Sequence, residues 1–214
     1  MPTITEISNN LSLLAKKLYK NRDKSHGIMH VYKVRDNALD ICNKLNITDL
    51  NIIIKIVAVA LFHELWDQKY VSILSGEYIE IIKIFRSELK KLYFSEHEIK
   101  DIEIIINNIS LTREMELKKI NQSINLKHLQ LIRDIVSDAD KLEMVGFSGM
   151  ERIIEFQIYK YPETKSYELK LIVKDVYKNK ISKLLDENYI KTEPGRHMAR
   201  PLMQEMKNYV DRIN

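Results

Sequence analysis

Cysteine, glycine and proline are all scarce in this chain. The single cysteine, Cys42, excludes an intramolecular disulfide and any cysteine-based zinc site. It also fits a reducing compartment, so a cytoplasmic location is expected. Only 5 glycines and 4 prolines occur in 214 residues. Sandwiches, barrels and doubly wound sheets need many tight turns, and this scarcity points away from them. No long hydrophobic run is present. The longest, Ile52 to Phe62, is interrupted by Lys55 and falls short of the ~20 residues that span a bilayer. The opening MPTITEISNN has neither the basic stretch nor the apolar stretch of a secretory signal. Neither sign of charge dominates, because 34 Lys and Arg face 30 Asp and Glu. The resulting +4 does not mark a binder of long nucleic acid, although it suits a site that receives a small anion.

What remains is a chain with 45% hydrophobic and 30% charged residues, an ordinary globular balance. Its apolar positions recur at helical spacing, as in Ile4, Ile7, Leu11, Leu14 and Leu18. We read it as an all-α bundle of about ten helices forming one domain over 1–214. The core motifs lie in 25–152 and a C-terminal helical part in 163–214. Ser25 is a candidate cap for a helix from His26 to Leu45, and Thr48 or Asp49 for the next, through Phe62. The broad Ile/Val/Ala face of that second helix predicts a central position. Ser95 and Glu98 have the spacing of a capping box. Leu111 to Asn125 is polar and aperiodic and is expected to be a mobile loop or insertion. A single long helix is expected from Thr164 to about Glu187, and a last one from Gly195 to Ile213.

Three segments carry candidate chemistry. In Ser25-His-Gly-Ile-Met-His30, two histidines four residues apart share one helical face. In Leu61-Phe-His63-Glu64-Leu-Trp-Asp67, a His–carboxylate pair ends the most apolar helix, with a second acid one turn later. In Asp138-Ala-Asp140-Lys-Leu142, two acids interrupt an apolar helix. Buried charge is costly unless it is paired or metal-bound, so these acids call for partners. Imidazoles with carboxylates form a mixed N/O set that suits one divalent cation, among Mn, Mg, Co, Ni, Fe and Zn. Mn or Mg is favoured. The bland readings differ by residue. Asp138 is read as a cap or as the partner of a nearby lysine. His97 and His128 are read as solvated, and His197 as structural.

Taken in order, the three segments resemble the HD-domain metal-dependent phosphohydrolase superfamily, in particular small bacterial-type members that include nucleotide pyrophosphatases. The chain has His26 and His30 before Lys33-Val34, then Leu61-Phe-His63-Glu64, then Asp138-Ala-Asp140-Lys-Leu142. Gly146 and Arg152 follow, and Thr192-Glu-Pro-Gly195-Arg196 comes near the end. The resemblance implies that His30, His63, Glu64 and Asp140 hold the cation. It implies that Asp67 activates or positions water, with Glu64 beside it in the reacting site. Lys69, His26, Lys24, Arg22 and Arg196 then become candidate contacts to the phosphates of a small, phosphorylated substrate, a nucleotide. A homodimer is compatible with this size. The departure is at position 64, where the pattern has Asp. The alternative is therefore a catalytically weakened metal- or nucleotide-binding module.

Overall fold

The computed structural model describes residues 3–20, 22–67 and 74–213. Among them there are eleven α-helices and no strand. They are α1 (Ile4–Leu18), α2 (Ile28–Lys44), α3 (Leu50–Phe62), α4 (Gly76–Lys91), α5 (Glu96–Ile106) and α6 (Leu111–Lys119). They continue as α7 (Gln130–Leu142), α8 (Gly146–Lys160), α9 (Ser166–Val176), α10 (Lys183–Asp186) and α11 (Glu193–Val210).

Helix α3 lies at the centre because its sequence is apolar on every face beyond the first two turns. Ile54 and Ile56 to Phe62 are all buried, and the helix packs against α1, α2, α5 and α7. Asp49 starts it by accepting the N–H groups of Asn51 and Ile52. Helix α2 crosses both α3 and α7, so the ends of these three helices share one region. The buried apolar side chains form one cluster running from Leu11 to Val210.

Local chemistry explains where the elements depart from expectation. Ser25 is not the cap of α2. Asp23 accepts the Ser25 N–H at 2.9 Å, a short turn follows over Lys24–His26, and α2 begins only at Ile28. The polar stretch from Leu111 is a helix, capped by Ser110. Its inner face is held by an ion cluster as well as by apolar contact. Glu114 Oε2 accepts from Arg133 and from Lys141, each at 3.0 Å, and Glu114 Oε1 lies 3.0 Å from Lys191 Nζ. The long helix expected from Thr164 is interrupted by one wider turn at Tyr177–Ile181, so α9 and α10 are separate. The last helix starts two residues earlier than expected, with Thr192 as its cap and Pro194 in its first turn.

Candidate metal centre

Three helix ends place the centre. His30 lies in the first turn of α2, which the turn at Lys24–His26 aims inward. His63 caps the C-terminus of α3, and Glu64 follows it. Asp140 is in the last turn of α7. Donor atoms of His30, His63, Glu64 and Asp140 lie within 4.8 Å of one another. His30 Nε2 is 3.3 Å from His63 Nε2, 3.3 Å from Asp140 Oδ1 and 3.7 Å from Glu64 Oε1. His63 Nε2 is 3.7 Å from Asp140 Oδ1.

The tautomers follow from the partners. His63 Nδ1 lies 2.8 Å from the Ala60 carbonyl, which only accepts, so Nδ1 carries the proton and neutral His63 turns a lone pair inward at Nε2. His30 Nε2 faces the Arg152 guanidinium at 2.9 Å. A guanidinium only donates, so this nitrogen is also a lone pair. Two lone pairs 3.3 Å apart, beside two carboxylates, converge on a point that asks for positive charge. Asp140 Oδ1 is buried there without a hydrogen-bond partner. This donor set fits a divalent cation of the first-row or magnesium type.

The electrostatics differ between the two imidazoles. Burial and the nearby Arg152 charge push His30 down to about 3, which keeps its imidazole neutral as a ligand must be. Burial works against the charge on Asp140, but the imidazoles of His30 and His63 and the Arg152 guanidinium outweigh it. The carboxyl is held well below the usual carboxylate range. At His63 burial alone would lower the pKa, but Asp140 prevails and the net direction is up.

The other candidates divide. His26 is buried and faces the cluster, with Nε2 3.8 Å from Glu64 Oε1. Its Nδ1 is 2.7 Å from Ser25 Oγ, and its ring meets Phe156 edge-on at 5.0 Å. Asp67 is half-buried one turn past Glu64, whose carbonyl accepts its N–H at 3.2 Å. Arg22 donates to the Leu65 carbonyl at 2.7 Å, beside the same turn. Lys24 is exposed. Lys69 and the neighbouring Tyr70 lie outside the described residues. Arg196 is held by Asn188 Oδ1 at 2.8 Å and by the Lys191 carbonyl, and it fixes the loop before α11.

Asp138 faces away from the cation point. Its carboxylate accepts the N–H groups of Lys191 and Thr192, the latter at 2.6 Å, and so ties α7 to the start of α11. A side chain at Gly195 would come within 2.9 Å of Asp138 Oδ2, which is why the segment needs glycine at this close approach. His97 and His128 are exposed, as expected, whereas His197, expected to be structural, is exposed as well. Trp66 is a core residue, stacked edge-on against Phe85 and bonded to Asn107.

Arg152 is the residue whose role sequence reasoning missed. It enters from α8 and touches three of the four candidate ligands. The sequence shows it only as a residue that follows the Asp138–Leu142 segment in the resembled order, and as a cation between Met150 and Ile154, with no role attached.

No protein-family model and no curated protein matches the chain. Solved structures do. A Lactobacillus plantarum protein superposes with a TM-score of 0.70 at 17% identity, over 99% of this chain and 96% of its own. Bacillus subtilis YpgQ in complex with ADP gives 0.67 at 18% identity, over 99% and 95%. An HD-superfamily hydrolase from Bacillus thuringiensis gives 0.66 at 19%, over 98% and 95%. The chain has the HD-type fold. In this HD-type bundle the cluster sits where α2, α3 and α7 meet, with α8 closing one side. No helix among the described residues is long and apolar enough to cross a membrane.

Proposed function

We propose that this chain is a metal-dependent phosphohydrolase that cleaves a phosphate ester or phosphoanhydride of a small nucleotide. The observation that carries the reading is the convergence of two inward imidazole lone pairs with the Glu64 and Asp140 carboxylates at one buried point. The HD-type fold supports it, as does the ADP bound to YpgQ.

In this reading His30, His63, Glu64 and Asp140 hold one divalent cation, Mn or Mg by preference. Lewis acidity toward a phosphoryl oxygen and toward the attacking water is the chemistry that such a cation supplies. Asp67, one turn beyond the ligand pair, orients that water and takes its proton, a task set by geometry more than by a shifted pKa. Attack on phosphorus breaks the P–O bond, and the leaving oxygen departs with the nucleoside or the shorter phosphate. His26, backed by Ser25 and Asp23, lies beside Glu64, which supports a role in contact with substrate. Arg22, Lys24 and Lys69 are the candidate cations for the remaining phosphate charge. The expected setting is the cytoplasm, and a homodimer is compatible with the reading.

The test is a nucleotide panel assayed with Mn²⁺, Mg²⁺, Co²⁺ and Ni²⁺, with products resolved by chromatography. Release of phosphate or pyrophosphate from some member is expected. Bound metal without turnover on any member contradicts the hydrolase and leaves a binding module.

A further inference from the structure

Arg152 occupies ground that a cation would need. Its Nη2 is 2.9 Å from His30 Nε2 and 3.1 Å from Glu64 Oε1, and its Nη1 is 3.7 Å from Asp140 Oδ1. A neutral imidazole nitrogen has one in-plane lone pair. A metal bonded to it at roughly 2.0–2.2 Å takes that lone pair outright. The guanidinium hydrogen bond and a metal–His30 bond are therefore mutually exclusive. Charge adds to the conflict, because a guanidinium a few ångströms from a divalent cation in a buried site is strongly repelled.

The side chain also has a hold outside the ligand cluster. Its Nε donates to the Ser25 carbonyl at 2.5 Å. This anchor involves neither Nη atom. The side chain is 17% exposed, so it is not sealed from solvent.

We propose that Arg152 is a displaceable internal cation. It neutralises the ligand cluster until a divalent cation takes its place, and it then presents its freed Nη edge to the phosphate of the substrate. The proposal rests on the metal-dependent reading above. It assigns one residue two successive partners of the same chemistry, carboxylate first and phosphate second, both of which the guanidinium fork can grip with two donors. It also makes metal occupancy a condition for substrate binding, because an arginine docked on Glu64 and His30 has no Nη edge to offer.

The experiment is calorimetric titration of Mn²⁺ into the metal-free wild type and into Arg152→Gln, without substrate, followed by titration of inorganic phosphate into each manganese-loaded protein. Loss of the competing charged hydrogen bonds should tighten Mn²⁺ binding in the variant by about tenfold or more. Phosphate binding should weaken by a similar factor. Equal Mn²⁺ affinity in both proteins overturns the exchange while leaving the metal centre intact. Tighter Mn²⁺ with unchanged phosphate affinity overturns the second role. Absence of Mn²⁺ binding in both proteins removes the metal reading itself. If Arg152→Gln does not fold, Arg152→Met, which keeps more of the apolar stem, gives the same pair of readings.

Discussion

At position 64 the chain carries a glutamate where the resembled pattern has an aspartate, and one methylene decides how far the carboxylate reaches. Glu64 Oε1 lies 3.1 Å from Arg152 Nη2 and 3.7 Å from His30 Nε2. An aspartate on the same backbone would stop about one bond length short. Glu64→Asp is therefore expected to weaken Mn²⁺ binding by about tenfold or more and to lower kcat/KM in parallel, measured by titration and steady-state kinetics. A large gain in turnover would instead mark a site weakened by the glutamate. A different residue, Glu114, contributes to the response to acid. Burial favours its protonated form, but Lys141 and Arg133 outweigh this and lower its pKa from 4.5 to about 2. The folded state thus holds fewer protons than the unfolded state between these values. The stability that Glu114 contributes is complete above about pH 4.5 and is lost as the pH falls toward 2. Urea unfolding should show Glu114→Gln destabilised at neutral pH by about 3–5 kcal/mol, since Arg133 and Lys141 would be left buried with a lost partner. The gap to wild type should narrow at pH 3.

Among the elements, the helices legible in the sequence are those held by apolar periodicity and a side-chain cap. Helix α3 with Asp49 and α5 with its Ser95–Glu98 box are examples. Helix α6 is hidden because part of what buries it is a salt-linked acid, and a pattern of apolar residues does not register Glu114. The break between α9 and α10 is hidden because the apolar stripe continues through it and only the hydrogen-bond register changes. His30, His63, Glu64 and Asp140 stand out as a ligand set through the resemblance, and the acids among them also because buried charge needs a partner. That Arg152 joins them depends on how α8 packs beside the Lys24–His26 turn, a distance of more than a hundred residues that no local pattern encodes. The α7–α8 junction controls that packing. A Cβ at Gly149 would lie 2.3 Å from the backbone of Met144. Gly149→Ala is therefore expected to force α8 away from α7, lowering the melting temperature and weakening Mn²⁺ binding together. An unchanged melting temperature would mean that the junction yields without strain.

For the whole molecule, the account makes folding and metal binding a single linked equilibrium. The centre draws its parts from α2, α3 and α7, so the unfolded chain has no site and the cation stabilises only the folded form. At a hundred times the dissociation constant this amounts to about 2.7 kcal/mol, or roughly 5–10 °C in a chain of this size. A chelator should remove the shift in wild type and change nothing in His63→Ala. The most direct test of the central claim is equilibrium dialysis of wild type, His63→Ala and Asp140→Asn against Mn²⁺, with bound metal counted per chain. One equivalent in the wild type, and less than about a tenth in either variant, is the result predicted. A wild type that retains no stoichiometric metal, or variants that retain as much as the wild type, would contradict it.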